Sequence, residues 1–82
     1  MTSWSVEYDK DTIAVVRDKH KKILTVNGTE LDSKDGVLYS TLEGKTTSCK
    51  AIKVKIDSGR KEDICTIFID GEEILNEKQP VK

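Results

Sequence analysis

The chain is poor in the residues that staple, kink or catalyse. Its 82 residues include two cysteines, one histidine and one proline. Secreted domains of this size usually carry about four to eight cysteines, so a disulfide framework is excluded as the organising device. Cys49 and Cys65 are expected as reduced thiols in a cytoplasmic setting, with a single Cys49–Cys65 bridge as the alternative. Two cysteines and His20 cannot supply four zinc ligands at the usual spacings, and no metal or other cofactor is expected. No apolar run nears the roughly 18 residues that cross a bilayer as a helix. Met1-Thr2-Ser3-Trp4-Ser5 has neither a basic nor an apolar stretch, so it does not read as a secretory signal. Charge of one sign is missing too: 14 basic residues face 15 acidic ones, for a formal net charge of −1. A chain-wide polyanion-binding role is therefore not favoured, because such domains carry a clear basic excess.

What the chain does have is punctuation. Gly28, Gly36, Gly44, Gly59 and Gly71 each sit among polar turn-forming residues. Between them run short segments rich in Val, Ile, Thr and aromatic residues, the spacing of an all-β sandwich or barrel. Trp4, Val6 and Tyr8 alternate with Ser5 and Glu7, as a half-buried strand requires. Further strands are predicted over 12–17, 22–26, from 29 to 31, over 37–42, 52–56, 64–69 and 72–75. Asn27-Gly28 and Asp70-Gly71 are hairpin turns of the type that needs positive φ at both central residues. Residues 32–36 and 43–46 read as loop and turn. Ile52, Val54 and Ile56 face one way and Lys53 and Lys55 the other, a separation that only a strand gives. Residues 57–63 read as a long polar turn, and 64–69, apolar on both faces, as a central strand.

The pattern gives about eight short antiparallel strands and no helix in one domain spanning 1–82, with 76–82 expected as a frayed polar tail. Leu24-Thr25-Val26-Asn27-Gly28-Thr29-Glu30-Leu31 matches Ile67-Phe68-Ile69-Asp70-Gly71-Glu72-Glu73-Ile74, 43 positions on. Each copy follows an earlier β segment, so the expected fold is a β-sandwich of two pseudo-repeated meanders packed face to face. Two ordinary hairpins sharing common turn chemistry are the plainer explanation of the match. The predicted core is Trp4, Val6, Ile13, Val15, Leu24, Val26, Leu38, Ile52, Val54, Ile56, Ile67 and Ile69, with Cys65 packed among them.

No catalytic constellation stands out. His20 lies between Lys19 and Lys21 in a turn, where a solvated histidine is expected. The thiols lack a Cys-x-x-Cys spacing, and no second histidine is present to activate either. Gly44-Lys45-Thr46 ends like a phosphate-binding loop but has neither the upstream glycine nor a following helix. Two basic stretches remain. Arg17 to Lys22 holds four Lys/Arg and a histidine. Lys50, Lys53, Lys55, Arg60 and Lys61 would form a stripe along one strand face and its turn. The functional reading is a footprint for an acidic or protein partner, or for nucleic acid. The plain reading is a solvated sheet face guarded by lysines. Single-strand binders need exposed stacking rings, and Trp4, Tyr8, Tyr39 and Phe68 are the four aromatic residues, most expected to point inward.

The order of these segments resembles the C-terminal domain of the Fas apoptotic inhibitory molecule family. Ser3-Trp4-Ser5-Val6 looks like that domain's opening strand. The Asn27-Gly28 hairpin follows, then Leu31. Ser48-Cys49-Lys50-Ala51-Ile52 is similar to its cysteine-bearing strand. The fullest stretch runs Asp57-Ser58-Gly59-Arg60-Lys61-Glu62-Asp63-Ile64 and on through Thr66-Ile67-Phe68-Ile69-Asp70, like the turn into its penultimate strand. The likeness covers roughly residues 3 to 77 and rests on turns and alternation in order.

The resemblance implies an antiparallel β-sandwich in a cytosolic, non-enzymatic protein. The family is associated with protection against death-receptor apoptosis and with suppressing aggregation of stressed proteins. Its members usually carry two such domains in tandem, and here there is one, so nothing belonging to an N-terminal half transfers. The resemblance assigns no functional residue. The expected function is a protein-interaction domain meeting apoptosis regulators or unfolded clients, with binding of nucleic acid through a basic strand face as the alternative and no contact with membrane.

Overall fold

Turn chemistry divides the chain into eight strands. The computed structural model describes residues 2–36, 39–58 and 62–80. The strands are β1 (Thr2–Tyr8), β2 (Asp11–Asp18), β3 (Lys21–Val26), β4 (Thr29–Asp35), β5 (Tyr39–Lys45), β6 (Ala51–Ser58), β7 (Glu62–Ile69) and β8 (Glu72–Pro80). They form two four-stranded antiparallel sheets, β1-β2-β3-β4 and β5-β6-β7-β8, each a simple meander. No described residue is helical. The all-β sandwich expected from the spacing of the strands is thus present.

Asn27 and Asp70 both adopt left-handed backbone, with φ of 52° and 51°, and Gly28 and Gly71 follow at 84° and 82°. Glycine is suited to the second position because it has no Cβ to clash there. The repeat extends beyond these turns. A bulge interrupts the β3–β4 pairing at Leu24/Thr25 and the β7–β8 pairing at Ile67/Phe68, again 43 positions apart. Asn27 Oδ1 accepts the Thr12 amide at 2.9 Å, and Asp70 Oδ1 accepts the Ala51 amide at the same distance. Both side chains thereby tie a hairpin to the first turn of the strand before it. Common turn chemistry alone does not explain matched bulges, so the two halves are structural repeats.

The inner faces meet in one core: Trp4, Ile13, Val15, Leu24, Val26, Leu42, Ile52, Val54, Ile56, Cys65, Ile67 and Ile69. Fully burying a side chain of Val, Leu or Ile size is worth about 1.5–3 kcal/mol, so these residues supply most of the driving force. Val6 is only partly buried and packs against the cluster's margin. Leu38 lies outside the described residues, and Leu42 is the β5 core residue.

Four boundaries differ from the sequence reading. The polar turn expected over 57–63 is shorter, because Asp57 and Ser58 continue β6 by pairing with Ile64 and Asp63, and β7 begins at Glu62. Asp32 to Asp35 continue β4 instead of looping, because Ser33, Lys34 and Asp35 pair with Ile23, Lys22 and Lys21. β5 runs through Gly44 to Lys45, and the turn follows at 46–50. A Cβ at Gly44 would lie 2.7 Å from Leu31 Cδ1 and 3.1 Å from Leu31 Cβ, so the exposed Leu31 side chain would have to shift. The tail is corrected as well. Asn76 to Pro80 extend β8 alongside Thr66 to Glu62, so backbone pairing holds a segment whose side chains alone read as solvent-loving.

Candidate interaction surface

Residue parity decides which charges share a face. On β6, Ile52, Val54 and Ile56 turn inward, which sends Lys53 and Lys55 to the outer face of the second sheet. There Glu43, Lys53, Phe68 and Glu73 lie side by side across the four strands, and Thr41, Lys55, Thr66 and Asn76 form the next row. Lys55 Nζ sits 5.4 Å from the centre of the Phe68 ring. Glu43 and Glu73 therefore flank the Lys53 row on both sides, and the ring between the lysines is capped by a cation. Lys50 leaves the expected stripe. Its parity is inward, and its Nζ donates to Tyr8 Oη at 3.2 Å while lying 5.0 Å from the ring centre. Arg60 and Lys61 lie outside the described residues.

The 46–50 turn joins the sheets at one end. Thr46 O accepts the Cys49 amide and Thr46 N donates to the Lys50 carbonyl, both at 2.9 Å. Cys49 takes a left-handed φ of 66° and is exposed. Across the gap, the buried Asp11 of β2 accepts the Thr47 amide at 2.9 Å, the Thr47 hydroxyl at 2.8 Å and Asn27 Nδ2 at 3.0 Å. The Thr47 amide bond leads in holding the Asp11 carboxyl below the usual carboxylate range. Asp11 thus links two of the first meander's three hairpins to the second meander's loop.

The opposite end holds charges inside. The first basic stretch is divided: Lys22 and Asp63 are both 0% exposed, while Lys19, His20 and Lys21 are exposed at the turn. Arg17 Nη1 donates to Asp63 Oδ2 at 2.9 Å, joining β2 to β7. Lys22 Nζ donates to Ser40 Oγ at 2.9 Å and to the Gly36 carbonyl at 3.0 Å. Burial first, and then the neighbouring Arg17 charge, hold the Lys22 ammonium below the usual lysine range, while Asp63 pulls it back up. A footprint for an external polyanion cannot use these two cations, since one is sealed in and the other is already paired. Cys65 is buried, and loss of solvent, aided by Glu77, pushes its thiol up to about 12.

Sheet edges are the remaining surface with unused backbone. β4 and β5 cover one another: Asp32 Oδ2 accepts the Glu43 amide at 2.9 Å, and Leu31 packs on Gly44. β1 and β8, the other two edges, come near each other without pairing. The β4/β5 seam is bridged by a hydrogen bond, whereas β1 and β8 touch without one among the described residues. Comparison of the chain with protein-family models, curated proteins and solved structures finds no match.

Proposed function

We propose that this chain is a non-enzymatic protein-interaction domain of the type represented by the C-terminal domain of Fas apoptotic inhibitory molecule. In this reading it works in the cytoplasm, engaging apoptosis regulators or shielding unfolded clients. The observation that carries it is the β1/β8 seam, whose two edge strands have no backbone pairing on their outer side among the described residues. Strand addition at such an edge needs only backbone hydrogen bonds and an extended partner, which suits clients of unrelated sequence. The ordered likeness from Ser3-Trp4 to the Ile67–Asp70 stretch supports the family assignment. Nucleic acid is the weaker reading, because the exposed Lys53 has acidic neighbours in its row and the Phe68 ring is capped by Lys55.

Light scattering from an unrelated, heat-stressed protein, with and without an equimolar amount of this chain, tests the proposal. Suppressed scattering is expected. Unchanged scattering would remove the client-shielding half and leave a specific regulatory partner to be sought by pull-down. An oligonucleotide titration at about 50 mM salt is expected to show no binding, since even a modest phosphate-contacting surface binds best at low salt.

A further inference from the structure

The edges of this sandwich are not equivalent, and their differences select a partner. β4 and β5 are occupied by each other through the Asp32–Glu43 bond and the Leu31–Gly44 contact. That leaves β1 and β8, which touch without a hydrogen bond among the described residues. β8 is the longer, at nine residues against seven, and among the described residues it pairs with β7 alone. Their charges also differ. β1 carries only Glu7. β8 carries Glu72, Glu73, Glu77 and Lys78, and all four are exposed.

The register of β8 adds a second feature. Ile67 and Cys65 point into the core, yet their β8 partners are Leu75 and Glu77, so the inward-facing row turns from apolar to acidic past Leu75. Glu77 lies near enough to the Cys65 thiol to raise its pKa. Beyond Leu75 the strand continues as backbone held by β7, with Glu77 and Gln79 on one side and Asn76 and Lys78 on the other. Over the whole of β8 three carboxylates face one lysine, so the edge offers backbone amides and carbonyls in a net negative setting.

From this geometry we infer that β8 is a docking edge for an extended, Lys/Arg-rich protein segment, which adds as a further strand to the second sheet. The inference rests on the interaction-domain reading and specifies the partner within it. Backbone pairing supplies the attachment and carboxylates at Glu72, Glu73 and Glu77 choose the sign. The same charges turn away a second copy of the chain, because two β8 edges would bring six carboxylates against two lysines. They also turn away acidic strands, which is how charged edges limit unwanted pairing.

The test uses the intact chain and three synthetic peptides of about eight residues, a common strand length. One alternates Lys with Val, one alternates Glu with Val, and one is the Lys peptide N-methylated on the residues that would pair. Amide hydrogen exchange and chemical shifts are followed by NMR. The Lys peptide is expected to bind at least about tenfold more tightly than the Glu peptide and to slow exchange in β8. The N-methylated peptide is expected to lose that protection. In the triple variant E72K/E73K/E77K, a set of exposed substitutions, the preference is expected to reverse.

Equal binding of Lys and Glu peptides at β8 would overturn the charge selection while leaving the interaction-domain reading in force. Shifts confined to another strand would overturn the choice of β8. Absence of binding by every peptide would overturn edge addition in both its general and its specific form.

Discussion

Arg17 and Asp63 lie 46 positions apart and meet at 2.9 Å, tying β2 of the first sheet to β7 of the second. The contact spans the two repeats, and the carboxylate is wholly buried. Lys22 lies beside Arg17 on the neighbouring strand, and the Asp63 carboxylate acts on both cations.

Asp63→Ala is expected to destabilise the fold by about 3–5 kcal/mol, because it leaves buried positive charge without compensation. Lys22→Met is expected to cost about 1–3 kcal/mol, because it keeps the volume but leaves the Ser40 hydroxyl and the Gly36 carbonyl without their donor. Urea unfolding of both variants measures this. A larger loss for Lys22→Met than for Asp63→Ala would refute this ranking. The folded pKa of Lys22 is lowered, chiefly by burial. The unfolded state holds the proton more tightly, so its contribution improves as pH rises from the folded value towards 10.5.

Asp11 gives the opposite limb. Its folded pKa is depressed by the Thr47 amide, then by the Thr47 hydroxyl and Asn27. The stability it contributes is therefore present above its ordinary value of 3.8 and is lost as pH falls through the lower folded value. Asp11→Asn is expected to lower stability at neutral pH and to flatten the acid part of the stability profile. Thermal melts between neutral pH and about pH 2 would show this, the lower limit lying below the usual carboxylate range. Parallel profiles for the two proteins would mean that the Asp11 carboxyl does not couple to folding through its titration.

Gly44→Ala would bring a methyl against Leu31 at 2.7 Å, where β4 and β5 cover each other. Overpacking of a well-packed core costs about 1–3 kcal/mol, and because Leu31 is exposed and can shift, a loss at the low end of that range is expected. Adding Leu31→Ala is expected to recover part of the loss, so that the double variant is more stable than the sum of the singles predicts. Strict additivity in denaturant titrations would show that the two residues do not compete for space.

The two thiols are expected to react in separate phases. Cys49 is exposed and Cys65 is buried with its pKa pushed up to about 12. A thiol reagent at neutral pH is expected to modify one cysteine in the folded protein and both in denaturant. Rapid modification of both before unfolding would contradict the burial of Cys65.

Much of the fold was legible because strands write their burial into residue parity. Ile52, Val54 and Ile56 alternate with Lys53 and Lys55, and the core takes the first set and leaves the others outside. The hairpins at Asn27-Gly28 and Asp70-Gly71 were equally plain, since few residues accept the φ they require. Parity was misread where it carried a charge inward. Lys22 has the parity of Leu24 and Val26, and Asp63 has that of Cys65, Ile67 and Ile69, yet the composition of each neighbourhood suggested solvent. The end of β8 was missed for a related reason: Asn76 to Pro80 have no apolar pattern, and their order comes from β7.

The sequence by itself determined the all-β class, the repeat, the main turns and nearly all the apolar core, because these depend on interactions within a few residues or on alternation along one strand. Only the tertiary structure decided which charges are sealed inside, where Lys50 points, and which edges remain open. Those outcomes depend on what the second meander brings against the first. Arg17 finds Asp63, Asp11 finds Thr47 and Leu31 finds the space above Gly44, and no local pattern in either half contains the position of the other.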